Sequence, residues 1–129
     1  MKNLEQIRAA KAIETAAKTS KAAVSKLPAM ILANGLLAAC AFASETKKDG
    51  HTPRRLDMKE ALDGAAQHLS NRQLGIAVLD GCKDTDDLIR KLTGADSPHL
   101  RRATAETLAF IAYVTSFTTK EGAEENGSE

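Results

Sequence analysis

Aromatic residues and the β-branched aliphatic residues, Val and Ile, are scarce in this sequence of 129 residues. It has no Trp, one Tyr and three Phe, and it has three Val and six Ile. Strands favour aromatic and β-branched side chains, so this scarcity argues against a sheet protein. It also argues against nucleic-acid binders that stack bases on aromatic platforms. Ala, with 23 copies, and Leu are strong helix formers, so the composition predicts an all-α protein.

Cysteines and long hydrophobic runs are equally limited. Cys40 and Cys82 form no CxxC pair, so we expect neither a metal site nor a cofactor. The N-terminus lacks the apolar core of a signal peptide. The longest apolar run, residues 27–43, is shorter than the roughly 20 residues of a membrane span. We therefore expect a cytoplasmic protein without membrane contact, in which this run forms a central helix buried on most sides.

Catalytic motifs are missing as well. The sequence contains no HExxH, GxSxG, GxxxxGK[ST] or GxGxxG, and the aspartates around Gly81 fail the EF-hand spacing. Three histidines, His51, His68 and His99, are far apart in the sequence. We therefore predict that the protein is not an enzyme. A small nuclease that uses His51 and His68 as acid and base stays open as an alternative.

Helix start and stop signals predict a single compact bundle of five to six helices over residues 1–119. An acidic tail, residues 120–129, is predicted to be disordered. Residues 45–56 are predicted to be a polar, basic loop. The predicted helices cover residues 3–25, 28–44, 57–69, 73–79, 84–94 and 97–117.

Particular residues set these predicted boundaries. Asp57 begins a capping box, Asp84 caps the helix that ends at Gly94, and Ser97 followed by Pro caps the last helix. Within the second helix, Gly35 is interpreted as a point of close helix packing. A turn at Gly35 is the alternative.

Charge is distributed unevenly although the net charge is only +1. Residues 1–55 carry +6 and residues 56–129 carry −5. Arg8, Lys11 and Lys18 fall within an arc of about 80° on the predicted first helix, and the loop over residues 45–56 adds four basic residues. Such a pattern suits contact with a phosphate backbone, without sequence readout.

Three segments carry a resemblance to a known family. Residues 26–42 read KLPAMILANGLLAACAF and fit the pattern KLPxxIxxNGLxxxxAF, after a basic N-terminal helix. Residues 3–9 and 101–110 are similar to the opening and to the last helix of the same family. The chain thus resembles the small helical subunit of the type III-B CRISPR effector, the Cmr RNA-silencing complex, over all but the tail after Thr119.

The resemblance implies a non-catalytic, RNA-binding subunit in antiviral defence. Copies of such subunits stack as an inner filament beside the backbone subunits, and together they hold guide RNA and single-stranded target RNA. Target cleavage belongs to the backbone subunit, and cyclic-nucleotide and DNA chemistry to the large subunit. The implied partners are the backbone and large subunits, both RNAs and further copies of the chain. A helical adapter that assembles proteins without contacting RNA is the alternative.

The resemblance also assigns roles to residues. Family-motif residues are expected to be structural: Leu27, Pro28, Ile31, Asn34, Gly35, Leu36 and Phe42. The candidates for RNA binding are exposed basic residues: Arg8, Lys11, Lys18, Lys21, Lys47, Lys48, Arg54, Arg55, Arg101 and Arg102. Pairing of Arg101 and Glu106 within the fold or with a neighbour is an alternative for those two. Candidates for contact with the next copy are Asp84, Asp86 and Asp87. The last helix departs from the family, because it ends without the usual basic residues.

Overall fold

Seven α-helices and two short 3-10 turns make up the regular structure of this computed structural model, which describes residues 3–45 and 53–127, with side chains at 3–45 and 55–118. The α-helices are α1 (Leu4–Ala16), α2 (Lys21–Val24), α3 (Leu27–Asn34), α4 (Leu36–Ser44), α5 (Pro53–Leu69), α6 (Thr85–Thr93) and α7 (Ser97–Gly127). The described residues contain no strand, and six of the helices have eight residues or more. The predicted all-α bundle is confirmed.

The core is built around α5, which packs against α1, α2, α4, α6 and α7. Leu62 and Leu69 of α5 are fully buried, together with Leu27 of α3 and Phe110 of α7. The prediction that the apolar run over residues 27–43 is the central helix is therefore wrong. Among the described helices, none combines the length and the apolar character that crossing a membrane requires.

Small residues set the close approach of α1 to its neighbours. Ala12 and Ala16 are buried on the flank of α1. Where α1 crosses α5, a Cβ added to Gly64 would lie 2.3 Å from the Thr15 hydroxyl oxygen, so only glycine fits at this crossing. The close approach of α1 to α5 therefore depends on Gly64.

The predicted first helix is broken between Ala16 and Lys21. Ser20 has extended backbone, and its hydroxyl accepts a hydrogen bond from the amide of Ala23, which starts α2 as a new helix. Thr19 donates its hydroxyl to the carbonyl of Asp57 at 2.6 Å. Side-chain hydrogen bonds of this kind compete with helix continuation. Lys18 therefore lies in a turn after α1 and not on its stripe.

Gly35 separates α3 from α4. Its φ of 96° lies where residues with side chains are strained, and a Cβ there would meet nothing within 4 Å. The interpretation of Gly35 as a close-packing point is therefore wrong, and the turn is correct. Each of the two short helices buries one face and exposes the other. Leu32 is 74% exposed and Phe42 is 40% exposed.

Two other boundaries differ from the prediction. Helix α5 begins at Pro53, so Asp57 lies inside it and caps nothing. Residues 73–79 form two 3-10 turns, Arg72–Leu74 and Ala77–Leu79, because Gly75 adopts a left-handed conformation between them.

The caps of the last two helices are local. Asp84 accepts a hydrogen bond from the amide of Asp87 at 2.9 Å, and α6 ends at Gly94, as predicted. Asp96 caps α7 by accepting from the amide of His99, so the predicted cap at Ser97 is displaced by one residue. Helix α7 continues to Gly127. The domain boundary after residue 119 stays a prediction.

Candidate functional site: the α1 trough

Three depressions run in series along α1 and form what we call the α1 trough. Two of them, with volumes of about 390 and 330 Å³, share Ile7 and Gln73 in their walls. The third, much smaller, shares Lys11, Glu14 and Gln67 with the second. The trough therefore follows α1 from its first turn to the turn that contains Lys18.

Three of the predicted RNA-binding residues line the α1 trough. Lys11 lines its middle, Lys18 lines its far end, and Arg102 lines the end near the first turn of α1. Arg102 donates to the backbone carbonyl of Leu74 and, at 3.4 Å, to that of Gly75. Residues from α1, α5 and α7 are thus brought together along one surface.

A polar junction formed by Arg8, His68 and Glu106 joins α1, α5 and α7, and its members His68 and Glu106 belong to the wall of the trough. Arg8 donates to the two carboxylate oxygens of Glu106 over 2.6 and 2.8 Å. His68 also contacts this carboxylate, with its Nε2 atom 2.8 Å from Glu106 Oε2. The His68 ring stacks on Phe110 with centroids 4.9 Å apart. Glu106 therefore pairs within the fold, and its partners are Arg8 and His68.

Burial and pairing set the protonation of the polar junction. Burial lowers the pKa of His68, and the hydrogen bond and charge of Glu106 offset this only in part. Burial works to raise the pKa of Glu106, but its hydrogen bonds to Arg8 and His68 and their charges outweigh it and lower the pKa. A hydrogen bond to an ionised Glu106 requires the proton of neutral His68 on Nε2. The buried Nδ1, for which the described residues supply no hydrogen-bond partner, is then a lone-pair acceptor.

The cations of α1 are already engaged. The Arg8 guanidinium donates to both carboxylate oxygens of Glu106, and these hydrogen bonds raise the pKa of Arg8. Lys11 lies 3.3 Å from Glu14. Pairing of this kind lowers the positive charge that these two residues offer to a phosphate.

Unpaired cations follow immediately after α1. Lys18, Lys21 and Lys26 are exposed, and within the described part of the chain no hydrogen bond or ion pair involves their ammonium groups. We call them the lysine cluster. Lys26, at the start of the apolar motif, is not among the RNA-binding candidates predicted from the sequence. Its signal in the sequence is its spacing of eight and five residues from the other two lysines.

The remaining predicted basic residues are spread over other surfaces. Arg55 lies over the ring of Phe42, 4.1 Å from its centroid, and 3.9 Å from the carboxylate of Glu45. Arg101 lies about 100° around α7 from Arg102 and lines a different groove. The residues outside the described part are Lys47, Lys48 and His51, together with the side chain of Arg54.

The family-motif residues divide into two groups. Leu27, Ile31 and Leu36 are buried, as expected of structural residues, and Pro28 lies in the first turn of α3. Asn34, Gly35 and Phe42 are exposed, so core packing does not explain those three.

Two of the three aspartates predicted to contact a further copy are used inside α6. Asp84 caps the helix, and Asp87 accepts from the amide of Lys83 and from Arg90. The backbone hydrogen bond from Lys83, followed by Arg90, lowers the pKa of Asp87. Asp86 is exposed and remains available to a neighbour.

Three groups with catalytic potential, His68, Cys40 and Cys82, are buried, whereas His99 is exposed. His68 is 2% exposed, and the thiols of Cys40 and Cys82 are free and buried. Burial raises the pKa of Cys40 to about 12 and that of Cys82 to about 11, which leaves both as unreactive thiols. No group of three or more potential metal ligands occurs within the described part of the chain.

Comparison with protein families identifies a match over most of the chain. The family model described as CRISPR-associated protein (Cas_Cmr5) matches residues 2–120. No curated protein and no solved structure match the chain.

Proposed function

The chain belongs to this family of CRISPR-associated proteins, the small subunits of the type III-B Cmr complex, and on that premise we propose that it is a non-catalytic RNA-binding subunit. In this proposal it contacts guide RNA and single-stranded target RNA through their phosphates, independently of sequence, in antiviral defence. The match to residues 2–120 supports membership of the complex, and the surface of the chain supports the RNA contact.

The observation that carries the RNA contact is the lysine cluster. Lys18, Lys21 and Lys26 place three exposed ammonium groups within nine residues of sequence, and Lys18 lines the end of the α1 trough. Each lysine that replaces a counterion on a phosphate adds to affinity by counterion release. Paired cations such as Arg8 contribute less, since a phosphate must compete with a carboxylate already in place.

The burial of His68, Cys40 and Cys82 supports a non-catalytic role. The nuclease alternative depends on His51 and His68. His68 is packed between Phe110 and Glu106, where a substrate has no access to its ring. A general acid or base must lie within hydrogen-bond reach of the proton that it transfers.

A charge-reversal experiment tests the RNA contact. The double variant Lys18→Glu, Lys21→Glu should weaken binding of a single-stranded RNA about tenfold, and should make log Kd less dependent on log salt by about 1.4, since each lost contact removes about 0.7. Lys83→Glu, Arg90→Glu is the control, because it changes the net charge equally at exposed residues near α6. Equal loss in both variants would show that only net charge matters and would contradict the proposal.

Identification of the partners tests the complex and the adapter alternative. A tagged chain purified from its native host should carry guide RNA, the repeating backbone subunit and the large subunit. Recovery of those proteins with RNA binding unaffected by the lysine variants would favour the helical adapter.

Stacking of further copies is part of the same proposal. Asp86 is the aspartate of α6 left exposed, and a basic face of the next copy would complement it. Asp86→Lys should lower the number of copies in each purified complex, measured by native mass spectrometry. An unchanged copy number would remove Asp86 from the stacking contact.

A further inference from the structure

An apolar groove lies between the start of α4 and the outer side of α7. Its volume is about 570 Å³, and its walls include Leu36, Leu37, Leu100 and Leu108, with Ala105 at its exposed edge. We call it the α4–α7 groove. Neither the lysine cluster nor the α1 trough contributes a residue to it.

One charge lies in the α4–α7 groove. Arg101 is the only charged side chain among the described residues that line it. Arg101 is exposed, and within the side chains described, 3–45 and 55–118, no hydrogen bond or ion pair involves its guanidinium. Helix α4 also begins here without a side-chain cap. The groove therefore presents apolar walls and positive charge with no acid of its own to balance it.

This chemistry fits protein better than RNA. An RNA backbone carries a charge at each nucleotide and is held by several cations, whereas this groove offers one. Leucine side chains in the walls gain free energy when apolar side chains cover them. A guanidinium forms bidentate hydrogen bonds with carboxylates as well as with phosphates, so an acidic side chain of a protein can pair with Arg101.

We propose that the α4–α7 groove is a docking site for a segment of another protein subunit, one that inserts apolar side chains between α4 and α7 and presents a carboxylate to Arg101. The inference rests on the proposed function, because it takes the partner to be a subunit of the Cmr complex. It moves Arg101 from the RNA-binding candidates to the protein-binding residues, while Arg102, one position later, stays in the α1 trough.

A matched pair of variants on α7 tests the groove. Ala105→Glu puts a carboxylate into the groove, and Ala112→Glu makes the same change at an exposed alanine of α7 outside it. Each chain is co-expressed with the other Cmr subunits, and its occupancy in the purified complex is measured by mass spectrometry against unlabelled wild-type chain. Circular dichroism and thermal unfolding of the free chains verify that both variants fold.

We expect Ala105→Glu to compete about tenfold less well than Ala112→Glu. Arg101→Glu should lower occupancy in the complex as much as Ala105→Glu does. Arg101→Lys should lower occupancy less, because the positive charge is kept. Single-stranded RNA should bind Ala105→Glu and Ala112→Glu equally, since their net charges are the same.

Three results would overturn the inference. The first is equal occupancy of Ala105→Glu and Ala112→Glu in the complex. The second is a loss of RNA affinity confined to Ala105→Glu and Arg101→Glu, which would place RNA in the groove. The third is a change in oligomeric state of the free chain confined to those variants, which would place a second copy there. If the wild-type chain itself fails to enter the complex, the proposed function fails, and this inference fails with it.

Discussion

The polar junction and the outer faces of α3 and α4 reverse the usual distribution of side chains. At the junction, Arg8, His68 and Glu106 lie in the interior or at its edge, in contact with one another. On α3 and α4, Leu32 and Phe42 are exposed although these helices are among the most apolar in the chain. One region keeps polar groups inside, and the other leaves apolar groups outside.

The two regions differ in whether their side chains have partners within the described part of the chain. Glu106 has its two partners within the chain, so the polar junction serves the fold by holding α1, α5 and α7 together. Leu32, in contrast, is 74% exposed, so little of its side chain is covered by the described residues. Loss of a junction residue should therefore cost stability, and loss of an outer-face residue should leave stability intact.

Removal of the junction carboxylate should have the largest effect. Glu106→Ala leaves a guanidinium and a buried imidazole without their shared acceptor, and should lower the free energy of unfolding by about 2 to 3 kcal/mol. Urea denaturation measures the loss. Glu14→Ala, which removes the exposed partner of Lys11, is the control and should cost less than about 0.5 kcal/mol. Similar losses in both variants would show that the junction is no stronger than a surface pair.

Acid should weaken the polar junction next. The pKa of His68 is lowered in the folded protein, so below its ordinary value of 6.5 the unfolded chain takes up a proton that the folded chain resists. The free energy of unfolding should therefore fall as the pH is lowered from 7 to 5. The lowered pKa of Glu106 adds a further loss only below its ordinary value of 4.5.

Two histidine variants isolate this pH dependence. In His68→Gln the fall in stability between pH 7 and 5 should be smaller, as urea titrations at each pH would show. His99→Gln, at an exposed residue that contacts Asp96, should keep the wild-type slope. An unchanged slope in His68→Gln would mean that another group controls the acid response.

In the region of α3 and α4, stability should depend on the backbone conformation of Gly35. Gly35→Ala meets open space but forces a φ of 96° on a residue with a side chain, which should cost about 1 kcal/mol. Gly94→Ala is the matched control, since its φ is −91° and a Cβ there meets nothing closer than 4.0 Å. Thermal unfolding should show Gly94→Ala to be neutral or stabilising. A loss as large in Gly94→Ala would refute the role given to φ.

The smallest effect should come from the outer face of α3. Leu32→Ala should change the free energy of unfolding by less than about 0.5 kcal/mol, because the side chain is already in solvent. The adjacent Ile31, 2% exposed, provides the contrast, and Ile31→Ala should cost about 2 to 4 kcal/mol in the same urea titration. A substantial loss in Leu32→Ala would mean that the outer face is covered within the chain.

Local signals predicted much of the fold. The all-α class followed from the composition, and the start of α6 at Asp84 followed from a cap that acts within three residues. Predictions of features that depend on contacts between distant residues were wrong. Thr19, which bonds the backbone of Asp57, helps to end the predicted first helix, and no pattern near Thr19 indicates that contact.

The candidate site was predictable only in part. The candidate basic residues could be identified directly from the sequence, and helical spacing predicted that Arg8 and Lys11 lie on one stripe of α1. Their availability was not predictable, because the partner of Arg8 lies 98 positions away in α7. The separation of Arg101 from Arg102 into two different grooves likewise required the packing of α7 against its neighbours.

By itself the sequence determined the helical class, the family and the supply of basic residues, because composition and short motifs act through local backbone preferences and through side-chain chemistry. Only the tertiary structure decided which charges are used inside the protein and which apolar residues are left outside. Residues far apart in the chain compete for the same buried volume and the same hydrogen-bond partners. The outcome for Arg8, His68 and Glu106, and for Leu32, depends on which helices meet.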